Sequence, residues 1–168
     1  MKNSALVICA LALLALLAGN FTRSANAADD DKQAITDLEH KLANAPTADE
    51  AIKYYDPTDE VELFDMAGPP REVKGNKAIH THLAQGFTGI KNIKVDFVEI
   101  NVVTDGKLGY ATSVQRFTAT GPDGKPMDIT FRQSDFLHKV NGEWKIMHQH
   151  ISVPVDMKTG KGDMASKM

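Results

Sequence analysis

The stretch FRQSDFLHKVNGEWKIMHQHISV, Phe131 to Val153, decides the fold. Two alternating runs flank Asn141-Gly142, a pair that supplies the positive φ angles of a two-residue hairpin loop, so the runs are expected to pair as antiparallel strands. In an unbroken ladder, opposed residues share a face. Val140 then faces Glu143, Lys139 faces Trp144, Leu137 faces Ile146, Asp135 faces His148 and Gln133 faces His150. That side of the hairpin is apolar near the turn and titratable further along. A carboxylate opposite one imidazole, with a second imidazole two residues on, is the most chemically loaded arrangement in the chain.

Upstream of the hairpin lie two more long alternating runs, Asn92 to Thr104 and Lys107 to Thr120, joined by Asp105-Gly106. Both read as strands. Gly121 to Pro126 is a loop. Before them, Ile79, Leu83 and Phe87 recur every four residues and predict a helix over Asn76 to Phe87, ended by Gly86 and Gly89. Val61 to Met66 is a short strand stopped by Gly68-Pro69-Pro70, and Arg71 to Gly75 is a small paired segment. Thr47 with Glu50 three residues on is a capping-box pattern that opens a helix to Tyr54 or Tyr55. Ile35, Leu38 and Leu42 place an amphipathic helix over Lys32 to Asn44. Helices followed by a meander of long strands make an α+β chain: a cone-shaped, strongly curved antiparallel sheet closed by about three helices. The outer face of such a sheet needs covering, so a homodimer is expected.

The chain has 168 residues, a formal net charge of -3 and 42% hydrophobic residues, the profile of one soluble globular domain. No sustained Lys/Arg run supplies a surface for nucleic acid. Lys2, the apolar run Ala5 to Ala18 and Ala25-Asn26-Ala27 form a signal-peptide pattern, so residues 1–27 are expected to be removed. The apolar core is shorter than the roughly 20 residues of a membrane span, so no membrane attachment is expected after cleavage. Cys9 is the only cysteine, which leaves the mature chain without disulfide or thiol nucleophile. Export without cysteine fits a periplasmic or secreted bacterial protein. The folded domain is expected over 28–156, with 157–168 a disordered tail.

Tyr55-Asp56-Pro57, Leu63-Phe64-Asp65, Val73-Lys74-Gly75 and the closing run Gly142 to Ser152 together resemble the SnoaL-like branch of the nuclear transport factor 2-like superfamily, over about Lys32 to Asp156. The closing strand and the Asp-Pro element are most similar to the association domain of calcium/calmodulin-dependent protein kinases. The resemblance implies a cystatin-like or ketosteroid isomerase-like cone with an inner pocket. It also implies an arginine in that pocket, at Arg116, whereas Asp135 stands where a second pocket arginine aligns. Ketosteroid isomerases and polyketide cyclases of the superfamily use a pocket carboxylate as base and hydrogen-bond donors at an oxyanion.

These readings converge on a pocket for a small, partly apolar molecule. His148 poised by Asp135 is the expected catalytic acid/base pair, and a structural polar pair is the alternative. Arg116, His150, Gln133, Tyr54, Tyr55, Asp65 and Trp144 are the expected ligand-binding residues, with Arg116 as an anion clamp or as an ion-pair partner of Asp135. Trp144 also reads as core lining, and His80 and His82 as surface groups. If the chain is an enzyme, proton transfer next to a carbonyl, as in isomerisation, cyclisation or dehydration, requires no cofactor. Two alternatives stand beside it. One is a non-catalytic oligomerisation or protein-binding module. The other is a His148-x-His150 metal site with Asp135 as third ligand.

Overall fold

The computed structural model describes residues 27–68 and 71–164; the expected signal peptide falls almost entirely outside them. Helix α1 covers residues 27–43. Helix α2 (Ala48–Ala51) continues into a single 3-10 turn, Ile52–Tyr54. Strands β1 (Glu62–Phe64) and β2 (Val73–Lys74) precede helix α3 (Asn76–Gly86). Strands β3 (Lys91–Thr104), β4 (Leu108–Thr120), β5 (Pro126–Val140) and β6 (Glu143–Ser152) complete the chain. Every expected element is present, within one or two residues at most ends.

The six strands form one curved, open sheet in the order β2-β1-β6-β5-β4-β3. It is mostly antiparallel, but β1 runs parallel to β6, with Leu63 beside Gln149. That contact is non-local and no hairpin signal encodes it. Curvature comes from β-bulges, which bend a strand by adding one residue on one side of the ladder. Strand β3 has one between Phe97 and Glu99, and β5–β6 has one at Met147.

The helices lie against the concave face. Ile35, Leu38 and Glu39 of α1 and Ile79 of α3 are buried, and so are Leu63, Ala111, Leu137, Trp144 and Ile146 of the sheet. Each fully buried aliphatic side chain contributes about 1.5–3 kcal/mol relative to exposure. Gly109 lets α1 approach: a Cβ there would sit 2.7 Å from Ile35 Cδ1. Thr47 caps α2 as its pattern predicts, accepting from the Glu50 amide at 3.2 Å, while the Glu50 carboxylate turns to Lys53 instead of closing the box. The Asp-Pro element is a structural clasp. The Asp56 amide donates to Ile146 O at 2.8 Å, and its carboxylate holds Thr58 and, at 2.5 Å, His138.

The Asn141-Gly142 turn has the expected positive φ angles, 52° and 86°. From it the ladder follows the predicted register through Leu137 opposite Ile146. There the bulge intervenes. Phe136 pairs with His148, Asp135 with Gln149, Ser134 with His150 and Gln133 with Ile151. The expected facing of Asp135 with His148, and of Gln133 with His150, is therefore corrected by one residue. Without the bulge both imidazoles would enter the core; with it Gln149 and Ile151 take the inner face.

The chain after β6 departs from the unstructured tail expected for 157–168. Through residue 164 it turns back on itself, with the Asp163 amide on Pro154 O at 2.7 Å and the Thr130 amide of β5 on Met164 O at 3.3 Å.

Candidate functional site in the cone

Between the helices and the concave sheet lies a cavity of about 320 Å³. Leu42 of α1, Leu83 of α3, Phe87 just past its end, and Val95, Phe117 and Ile129 of the sheet give it apolar walls. An apolar cavity with a few convergent polar groups is the usual form of a small-molecule site. The polar groups here fall into two sets.

One set is deep. Tyr55, which is 2% exposed, donates its hydroxyl to Gln149 Oε1 at 2.6 Å. Gln149 stands opposite Asp135 on the β5–β6 ladder and pulls its carboxyl pKa downward. Gln133 Nε2 donates to Asp135 Oδ2 at 2.6 Å and to Glu39 Oε2 at 3.3 Å. Glu39 and Asp135 are each 1% exposed and hydrogen-bonded to one another. Their remaining oxygens, Glu39 Oε1 and Asp135 Oδ1, have no conventional partner among the described residues. Two adjacent carboxyls with orphaned oxygens are what a shared proton requires, because like charges in low dielectric cannot both ionise. Burial pushes Asp135 up to about 6, against the pull of Gln133 and the other hydrogen bonds it accepts. Burial, and then the neighbouring Asp135 charge, hold Glu39 well above the usual carboxylate range. Burial and then the carboxylates Asp135, Glu39 and Asp65 also raise Tyr55, so the potential around its hydroxyl is negative.

The other set is at the rim. Asp65, just beyond β1, accepts from His82 Nε2 of α3 through Oδ2 at 2.7 Å, and the two side chains are 21% and 18% exposed. Both line the cavity. A carboxylate on one ring nitrogen fixes the tautomer and leaves the other nitrogen for proton exchange. His82 is thus a cavity residue, contrary to the surface position expected from its sequence.

The other expected site residues divide. Tyr55, Asp65 and Gln133 line the cavity. Tyr54 lies outside it, in a shallow groove beside His40 and Lys41. Trp144 is core: it is 6% exposed, its Nε1 donates to Asp31 Oδ1 at 3.1 Å, and Lys139 stacks on its ring. Arg116 is on the convex face in a bidentate pair with Asp128, both bonds 2.8 Å, so it neither clamps a cavity anion nor meets Asp135. His148 and His150 are also convex. His148 packs on Phe64 and Phe136, with Nδ1 3.6 Å from Glu62 Oε2. Asp135 feels His148 only as a weak attraction across the sheet. The trio expected to hold a proton or a metal is split between two faces, and among the described residues no group of three His, Cys, Asp or Glu is arranged to hold a metal ion.

Sequence reasoning missed Glu39, His82 and Gln149. Two were findable by period. Ile35, Leu38, Glu39 and Leu42 occupy one helical stripe, and His82 lies three residues from Ile79 on another, so each polar residue sits on an inward face. Gln149 needed the bulge.

No curated protein matches the chain. Solved structures do, at identities that speak for the fold. A nuclear transport factor 2-like protein of unknown function from Pseudomonas putida KT2440 is 21% identical, covering 83% of this chain and 98% of its own, with a TM-score of 0.72. A provisionally assigned scytalone dehydratase from Novosphingobium aromaticivorans is 14% identical, covering 76% and 87%, with a TM-score of 0.68. A provisionally assigned calcium/calmodulin-dependent protein kinase II association domain from Xanthomonas campestris is 21% identical, covering 70% and 81%, at 0.59. The family profile of the SnoaL-like domain matches residues 33–156. With most of its length matched and the cone in place, the chain belongs to the SnoaL-like family of the nuclear transport factor 2-like fold.

Proposed function

We propose that the cone cavity binds a small, largely apolar molecule and moves a proton next to a carbonyl, as in a dehydration or isomerisation, with His82 as the acid/base and Asp65 as its orienting partner. The observation that carries this reading is the 2.7 Å His82–Asp65 contact in the wall of a largely apolar cavity. Such a reaction needs a positioned base and no redox group. The Novosphingobium relative bears the name of a dehydratase, which agrees in kind. The histidine base moves from the expected His148 to His82, and the orienting acid from Asp135 to Asp65.

The test follows the proton directly. The protein is incubated in deuterium oxide with a panel of cyclic ketones and enones that includes β-tetralone, and exchange at the carbon beside the carbonyl is read by NMR. Exchange above buffer is expected, falling about 10²-fold or more in His82→Ala. Asp65→Asn should lower it less. Exchange that His82→Ala leaves intact, or a panel that never exceeds buffer, would refute the assignment.

A second reading concerns the convex face, where Tyr110, Phe136 and Met147 are 43%, 52% and 40% exposed beside His148. We infer that a second copy of the chain covers this band, since a bare aromatic face of this kind marks an interaction surface. Sedimentation of Phe136→Asp against wild type decides it: a monomer already in wild type removes the idea. Export is part of the same proposal, and a secreted product beginning at Ala28 is the outcome that N-terminal sequencing should give.

A further inference from the structure

Tyr55 has its hydroxyl proton committed to Gln149. Asp135 and Glu39 sit out of reach of solvent, and with one proton between them they still need N–H donors. Gln133 supplies its amide nitrogen to both acids, at 2.6 and 3.3 Å, so its carbonyl is the polar end left over. Gln149, paired with Asp135 across the β5–β6 ladder, turns its Oε1 toward Tyr55. Oε1 is an acceptor, so the 2.6 Å contact has to be Tyr55 donating. The tyrosine oxygen retains only lone pairs for anything in the cavity.

We propose that the deep end of the cavity is an acceptor surface, made by the Tyr55 oxygen and the Gln133 carbonyl, and that it takes the hydroxyl group of a hydroxylated cyclic or aromatic molecule. The charge around it points the same way. Three carboxyl groups, Asp135, Glu39 and Asp65, surround Tyr55, so the positive end of an O–H dipole is favoured there and a carbonyl oxygen or an anion is disfavoured. A ligand that lacks the donor would leave buried acceptors without partners, and that loss discriminates more sharply than the loss of apolar contact. The polar end therefore sets which molecule enters, while the rim pair at His82 stays free to act on another part of it. The inference deepens the cavity reading proposed above and rests on it.

A matched pair of probes tests it on the purified protein at neutral pH: β-naphthol, which donates through its hydroxyl, and β-methoxynaphthalene, which has the same ring system without the donor. Binding is read by fluorescence titration. The expected result is tenfold or more weaker binding of the methyl ether, with the ratio falling to near one in Tyr55→Phe. Asp135→Asn provides a second route should Tyr55→Phe fail to fold, because an amide at 135 can donate to Gln149, release the Tyr55 proton and reduce the preference. Equal binding of both probes, or tighter binding of the ether, overturns the acceptor surface and leaves the cavity reading standing. A preference for the naphthol that survives in Tyr55→Phe overturns the role of Tyr55. If neither probe binds, the cavity reading fails and takes this inference with it.

Discussion

The two faces of strand β6 are built from adjacent residues and behave as different materials. Trp144, Ile146 and Gln149 look inward, onto a core and a buried polar cluster that holds the two acids Glu39 and Asp135. Met147, His148 and His150 look outward, onto a loose band of rings with Phe64 and Phe136 at centroid distances of 5.6 to 5.9 Å. One bulge at Met147 decides which residue joins which face. Titratable groups on the two faces accordingly have different weight: the inner ones are desolvated and mutually dependent, and the outer ones are screened by water.

Truncation on either side of the bulge gives the largest expected contrast. Ile146→Ala empties a fully buried position and should cost about 2–5 kcal/mol. Met147→Ala, its exposed neighbour, should cost under about 1 kcal/mol. Urea unfolding of the two variants measures the difference, and similar values would mean that β6 does not separate its faces at this point.

The pH dependence of stability isolates the inner face. The folded-state values of Glu39 and Asp135 are raised, so the native protein holds more protons than the unfolded chain. The contribution of this pair is then fully present below the unfolded carboxylate values of about 4 and is lost as pH rises toward and past about 6, the folded value of Asp135. The fall attributable to Asp135 is on the order of 3 kcal/mol. Glu39→Gln keeps a donor to Asp135 and removes the ionisable partner, so its profile should be flatter and its stability at pH 8 no lower than wild type. A profile of unchanged slope would show that the acids do not share their proton.

The smallest effect belongs to the outer face. His148→Ala should shift stability by less than about 0.5 kcal/mol and leave the affinity for a cavity probe unchanged within twofold. Lost probe binding in this variant would return the histidine to the site from which the bulge removes it.

Much of the fold could be read directly. The Asn141-Gly142 turn, the Ile79-Leu83-Phe87 stripe and the Thr47 cap are local: each depends on the backbone preferences or spacing of residues within a few positions. The site was legible only in part. Asp65, Tyr55 and Gln133 were identified as lining residues, whereas the pairing of Asp135 with His148 assumed that β5 and β6 alternate without interruption. Arg116 was misplaced for a related reason, since strand parity puts it opposite Gln115 without saying which of the two faces the helices will cover. The acid on α1 escaped notice because a single carboxylate in an apolar stripe gives no sign of its partner nearly a hundred residues away.

By itself the sequence determined which segments become helices and strands, where the last hairpin turns, and that a curved α+β cone is the way to bury their apolar faces. Tertiary structure alone decided that one extra residue enters β6, because an imidazole and a glutamine compete for the same inner position. The glutamine occupies it, where the Tyr55 hydroxyl satisfies its carbonyl and Asp135 stands opposite it on the ladder, and neither residue is near it in the chain.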